Sequence, residues 1–143
     1  LKLAKKWSIP YLIFNDNQNL TENIILNKLK DHKINLILLA GFMKILSKNF
    51  IQSFKEKILN IHPSLLPKYK GLDTHKRVIK NKEKYTGCTV HIVNAKLDSG
   101  KIILQRKVRI LKKDNENSLS KKVLKIENLI YPRAIKKFIR FNL

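Results

Sequence analysis

Asn60-Ile61-His62-Pro63-Ser64-Leu65-Leu66-Pro67-Lys68-Tyr69-Lys70-Gly71 is the stretch on which the reading of this chain turns. It continues from Ile58-Leu59, so Ile58 to Ile61 reads as a short apolar strand that delivers Asn60 and His62 at its C-terminal end. Side chains two apart in an extended strand share a face. An amide and an imidazole therefore address one small volume. An amide N–H can donate to negative charge developing on a carbonyl oxygen. An imidazole, with an unperturbed pKa of about 6.5, moves protons near neutral pH. Pro63 and Pro67 preset φ and Gly71 permits a left-handed turn, so the loop that follows has little freedom.

Outward from this string, strand-like and helix-like segments alternate. Leu1 to Lys6 reads as the end of a helix. Tyr11 to Phe14, entered after Pro10, reads as a short apolar strand. Asn19 to His32 carries Leu20, Ile24, Ile25 and Leu29 at helical spacing, with Thr21 as its cap. Ile34 to Leu39 is a continuous apolar run, as in a strand buried on both faces of a parallel sheet. Ser47 opens a helix carrying Phe50, Ile51 and Phe54. Thr74 or Asp73 caps another, which runs to about Lys80. Thr86 to Val93 and Lys101 to Ile110 are strands separated by the Asp98-Ser99-Gly100 turn, and Asn117 to Phe141 is a final helix perturbed by Pro132. The alternation predicts an α/β fold with a mostly parallel central sheet flanked by helices. Such sheets bind ligands beyond the carboxyl ends of their strands, where His62 lies.

The composition bounds the function. With 143 residues and 43% hydrophobic content the chain reads as a single folded domain. Its longest apolar stretch, Ile34 to Met43, falls well short of the roughly 20 residues of a membrane span. No signal peptide is visible at its start. One cysteine, Cys88, excludes an internal disulfide and a cysteine metal cluster, and points to the cytoplasm. The net charge of +21 favours polyanions in principle. Yet only five basic residues, Arg77, Arg106, Arg109, Arg133 and Arg140, carry the planar fork suited to phosphates and base edges. The lysines are scattered from end to end, as on a solvated surface. A nucleic-acid partner is therefore disfavoured, although a positive field speeds capture of small anions.

The string resembles the signature of the folate-dependent formyltransferases. The likeness extends to Leu39-Ala40-Gly41-Phe42-Met43-Lys44-Ile45-Leu46-Ser47, Gly87-Cys88-Thr89-Val90-His91, Leu97-Asp98-Ser99-Gly100 and Glu127-Asn128-Leu129-Ile130-Tyr131-Pro132, in the same order and spacing. Lys-Tyr-Lys-Gly-Leu-Asp-Thr-His, from Lys68 to His75, is similar to the branch that formylates glycinamide ribonucleotide in purine synthesis. The resemblance implies a Rossmann-like fold and a formyl donor, 10-formyltetrahydrofolate, with no metal. It implies a catalytic trio of Asn60, His62 and Asp98. Taken alone, Asp98 reads as a turn residue before Ser99-Gly100.

Phe42, Met43, Lys44, Ile45 and Leu46 match the segment that lines the folate pocket, with Lys44 where the family often has Arg. Asn60, Asn94, Leu97 and Asp98 complete that side. The Asn94 to Leu97 loop departs from the family's more acidic pattern, and no side-chain role transfers to it. The resemblance implies that Glu127, His62 and Pro63 face the ribonucleotide. His75 and His91 match family histidines near the site and read as structural or pH-sensitive. The acting form is expected to be a monomer or a homodimer, without a membrane partner.

The family opens with a strand, a Gly-rich loop and a helix that together hold a phosphate. The four glycines here, 41, 71, 87 and 100, form no such loop, and the chain begins with Leu. The resemblance thus implies an N-terminally incomplete domain, poorly active and less stable by itself. Three rivals remain. Methionyl-tRNA formyltransferase shares the Asn-x-His and Leu-Leu-Pro elements. Formyltetrahydrofolate deformylase shares the trio but generally has a second His and a Phe where Pro63 and Leu65 stand. A basic nucleic-acid-binding module would rest on charge alone.

Overall fold

A computed structural model of the chain describes residues 2–13, 22–55 and 57–142. They fall into two compact units, Leu1–Lys33 and Ile34–Leu143. The first holds helices α1 (Lys2–Lys6) and α2 (Glu22–Asp31), the latter with Leu26 buried. Residues 11–13 are not a strand, contrary to the expectation for Tyr11 to Phe14, and Phe14 and Thr21 lie outside the described residues. A strand requires a ladder partner. Tyr11, Leu12 and Ile13 are exposed, and no described strand pairs with them.

The second unit is built as β1 (Ile37–Leu39), α3 (Lys48–Ser53), β2 (Ile58–His62), α4 (Thr74–Lys80), β3 (Tyr85–Ile92), β4 (Ile102–Arg109) and α5 (Glu116–Asn142). The four strands lie in the order β1-β2-β3-β4. β1 and β2 pair in parallel, whereas β2–β3 and β3–β4 pair antiparallel. Three strands thus run one way and β3 alone is reversed. β1 is shorter than its apolar run, because only Ile37, Leu38 and Leu39 find partners, on Ile58, Leu59 and Asn60.

Alternation along β2 divides its side chains between two faces. Ile61 joins Cys88 and Val90 of β3 in a core closed by Val123, Ile130 and Ala134 of α5. Asn60 and His62 point to the other side. α5 continues through Pro132. The preceding Tyr131 donates its hydroxyl to the carbonyls of Leu39 (2.8 Å) and Leu59 (3.2 Å), which fastens the helix to β1 and β2. The same helix begins with a reciprocal cap: Ser118 N–H donates to Asn115 Oδ1 and Asn115 N–H to Ser118 Oγ. α3 starts at the expected cap, where Ser47 Oγ accepts from Phe50 N–H. α4 differs. Asp73 holds the cap position with φ of 54°, but its side chain makes no capping bond.

β3 and β4 approach so closely at Gly87 that an added Cβ would lie 2.0 Å from the Arg106 carbonyl oxygen and 2.7 Å from a Leu65 methyl. The first contact is backbone and cannot rotate away. Gly87→Ala should therefore destabilise the protein by roughly 1–3 kcal/mol, the usual cost of overpacking. Urea unfolding checks this, and an unchanged midpoint contradicts it.

Candidate active site

Beyond the C-terminal end of β2 lies a cavity of about 900 Å³. The loop after β1 supplies Phe42, Met43, Lys44, Ile45 and Leu46. β2 and its exit supply Asn60, His62 and Pro63. The loop after β3 supplies Asn94, Leu97 and Asp98, and α5 supplies Glu127. The candidate catalytic, folate-side and acceptor-side residues named from the sequence thus all line one cavity. Its walls are largely apolar, with a few convergent polar groups, as in sites for flat organic ligands.

The polar groups form a linked set. His62, 6% exposed, directs Nε2 at the Tyr69 carbonyl oxygen, 2.9 Å away. A carbonyl only accepts, so Nε2 carries the proton of this bond. Nδ1 lies 3.4 Å from Asp98 Oδ2. That carboxylate oxygen also accepts from Gly71 N–H at 2.8 Å. Both partners of the ring are acceptors. The Nδ1–Asp98 contact is therefore attractive only when a proton sits between the two groups, on one or the other.

β-sheet register places the next member. Asn60 stands directly opposite His91 on β3, and paired side chains of an antiparallel ladder meet on one face. Asn60 Nδ2 is 3.3 Å from His91 Nε2, while His91 Nδ1 donates to the Ile92 carbonyl oxygen at 3.0 Å. His91 Nε2 is thus the acceptor that orients the Asn60 amide. Burial lowers the His91 pKa; the Ile92 bond and Asp98 oppose this, and His62 and Lys70 add to it. His91 is 2% exposed and lies 3.6 Å from Asp98 Oδ1. A neutral His91 holds the amide.

Asp98 sits at φ of 43° and Gly71 at φ of 76°. The Asp98 loop is tied to the loop after β2 by the Gly71 bond and by Lys70 Nζ, which donates to Ser99 Oγ. Thr89, opposite His62 in the ladder, accepts from Leu66 N–H and donates to the Ser64 carbonyl at 2.6 Å. Gln105 donates to both Thr89 Oγ1 and the Leu66 carbonyl. Glu127, in the cavity wall, has its carboxyl raised by burial. His75 also faces the cavity, with Nδ1 buried and unpartnered and its pKa lowered chiefly by burial. The Cys88 thiol, pushed up to about 12 by burial and by Glu127, belongs to the core.

The sequence profile of the formyl transferase family matches residues 2–135. The chain belongs to the formyl transferase family. The phosphoribosylglycinamide formyltransferase of Haemophilus influenzae is 45% identical over 139 residues, covering 94% of this chain and 66% of that protein. The trifunctional purine biosynthetic protein adenosine-3 of Drosophila melanogaster is 40% identical over 139 residues, 94% of this chain and 10% of that one. The crystal structure of the phosphoribosylglycinamide formyltransferase of Anaplasma phagocytophilum superposes with a TM-score of 0.89 at 38% identity, covering 94% of this chain and 66% of that chain. The chain thus spans about two thirds of the first and third, and a tenth of the second. No helix among the described residues is long and apolar enough to cross a membrane.

His91, matched to a family histidine near the site and read as structural or pH-sensitive, orients the Asn60 amide, and the Tyr69 carbonyl is a partner that the sequence did not point to. The first is reached by cross-strand register and the second is a backbone atom. Burial of His91 has a consequence for stability. Its folded pKa lies below the unfolded value of 6.5, so the unfolded state takes up the proton first as pH falls. Stability is full above about 6.5 and is lost as pH drops through the folded value. His75 acts in the same direction, and Glu127, with a raised pKa, in the opposite one. His91→Gln, compared with the parent protein, should flatten the fall in unfolding free energy below about pH 6.5. Parallel curves for the two proteins would contradict a buried neutral His91.

Proposed function

We propose that this protein transfers the formyl group of 10-formyltetrahydrofolate to the primary amine of glycinamide ribonucleotide, in the cytoplasm, as a step of purine synthesis. The observation that carries the reading is the convergence of Asn60, His62 and Asp98 in the wall of a largely apolar cavity large enough for a folate. The names of the relatives favour this acceptor over methionyl-tRNA, over water, and over a nucleic-acid-binding role. A monomer or homodimer is the acting form.

The residues have distinct tasks. Phe42, Met43, Ile45 and Leu46 offer apolar surface to the folate heterocycle, with Lys44, Asn94 and Leu97 at the same wall. Glu127 and Pro63 face the acceptor, and a half-buried carboxylate can hold an amine or hydroxyl. Asn60, oriented by His91, donates an amide N–H to the formyl oxygen as charge develops there. His62, its ring held between the Tyr69 carbonyl and Asp98, adds the positive charge of its protonated form to the same stabilisation. Asp98 accepts a proton as the acceptor nitrogen bonds to the formyl carbon. That proton is delivered to the folate nitrogen as its bond to the same carbon breaks. One N–H is thus exchanged for another, and no net proton is consumed.

Oxyanion stabilisation and general acid–base catalysis are each worth roughly 10²–10⁴-fold in rate. In the protein as its gene encodes it, His62→Ala and Asp98→Ala should each lower kcat by that range, read in a steady-state formyl-transfer assay. A loss below about tenfold for either variant would remove the assigned role.

A further inference from the structure

The Tyr69 carbonyl is an unusual partner for a catalytic imidazole, because Tyr69 reaches it with φ of 56°. A bulky residue adopts this left-handed backbone only when its surroundings hold it there. The surroundings are visible. The Tyr69 hydroxyl donates to Glu83 Oε1 at 2.9 Å and accepts from Asn81 Nδ2 at 3.0 Å. The Arg77 guanidinium lies over the ring, 5.4 Å from its centroid. Arg77 Nη1 also donates to the carbonyls of Lys70 (2.6 Å) and Leu72 (3.2 Å), the backbone immediately after Tyr69. Both ends of the tyrosine are therefore fixed by one short stretch of chain, α4 and the turn that follows it.

We infer that Glu83, through Tyr69, is a positioning residue for His62. The imidazole has two polar contacts, at Nε2 and at Nδ1. The Nδ1 contact, at 3.4 Å, is too long to fix the ring by itself. The carbonyl at 2.9 Å selects which nitrogen carries the proton and aims the other at Asp98. That carbonyl stays in place only while Tyr69 keeps its left-handed turn. The turn in turn depends on an acceptor at residue 83, on the outer side of the loop. Glu83 has two hydrogen bonds, from Tyr69 and Lys68, which together hold its carboxyl below the usual range. The Lys68 pair is exposed and contributes little, so the Tyr69 bond carries the effect. Placement of the imidazole within a fraction of an ångström decides rates, and small displacements cost one to two orders of magnitude.

The inference rests on formyl transfer for its kinetic readout but not for its structural one. Glu83→Ala and Tyr69→Phe should each lower kcat by about tenfold or more with KM little changed. Glu83→Gln, which still offers an oxygen to the tyrosine hydroxyl, should keep most of the rate. In parallel, long-range proton–nitrogen NMR of the His62 ring reads its tautomer directly. The parent and Glu83→Gln should show one tautomer, protonated at Nε2, in the neutral ring. Glu83→Ala and Tyr69→Phe should show a mixture. If Glu83→Ala fails to fold, Tyr69→Phe, which removes a single oxygen, carries the test. An unchanged tautomer in a folded Tyr69→Phe protein overturns the inference. If the parent protein transfers no formyl group, the proposed function fails, while the NMR comparison still decides the anchor.

Discussion

A single imidazole caught between two acceptors is the constraint on which the site depends. His62 faces the Tyr69 carbonyl on one side and the Asp98 carboxylate on the other. Neither partner can donate unless Asp98 itself is protonated, so the contact with Asp98 is attractive only when the two groups share a proton, as in a proton relay. The neighbouring groups follow from it. Gly71 N–H steadies the carboxylate, Lys70 joins its loop to the loop after β2, and a neutral His91 turns the Asn60 amide toward the same space.

The fold supplies this constraint through two periodicities. The two-residue repeat of β2 sends Ile61 into the core beneath α5 and Asn60 with His62 into the cavity. The reversed strand β3 then matters more than the parallel pair. Antiparallel pairing sets His91 opposite Asn60 and Thr89 opposite His62, so one ladder delivers both the support for the amide and the lock on the turn at Ser64 to Leu66. The core behind the sheet is fully buried at Cys88, Val90, Val123 and Ala134, which have no measurable exposure. A rigid platform of this kind keeps catalytic groups to sub-ångström tolerance.

Much of this was legible in the residues, and the exceptions are instructive. Asn60 and His62 could be paired from spacing alone, because strand alternation is local. Asp98 could not. A carboxylate before Ser99-Gly100 is an ordinary turn residue until the chain brings it to an imidazole 36 positions earlier, and only the family resemblance supplied that link. His91 required the strand register, and Tyr69 acts through a backbone oxygen that no side-chain pattern reveals. Tyr11 to Ile13 misled for the complementary reason: β-propensity says nothing of whether a partner strand is at hand. β1 was read three residues too long at its start for the same reason, since Ile34 is apolar but unpaired in the ladder.

The destination of the formyl group is the most direct test of the proposed function. Mass spectrometry of the products after incubation with 10-formyltetrahydrofolate and glycinamide ribonucleotide should show one formyl group on the ribonucleotide amine, formed in step with loss from the folate. Release of formate at the same rate with and without the ribonucleotide, and an unmodified amine, would contradict it.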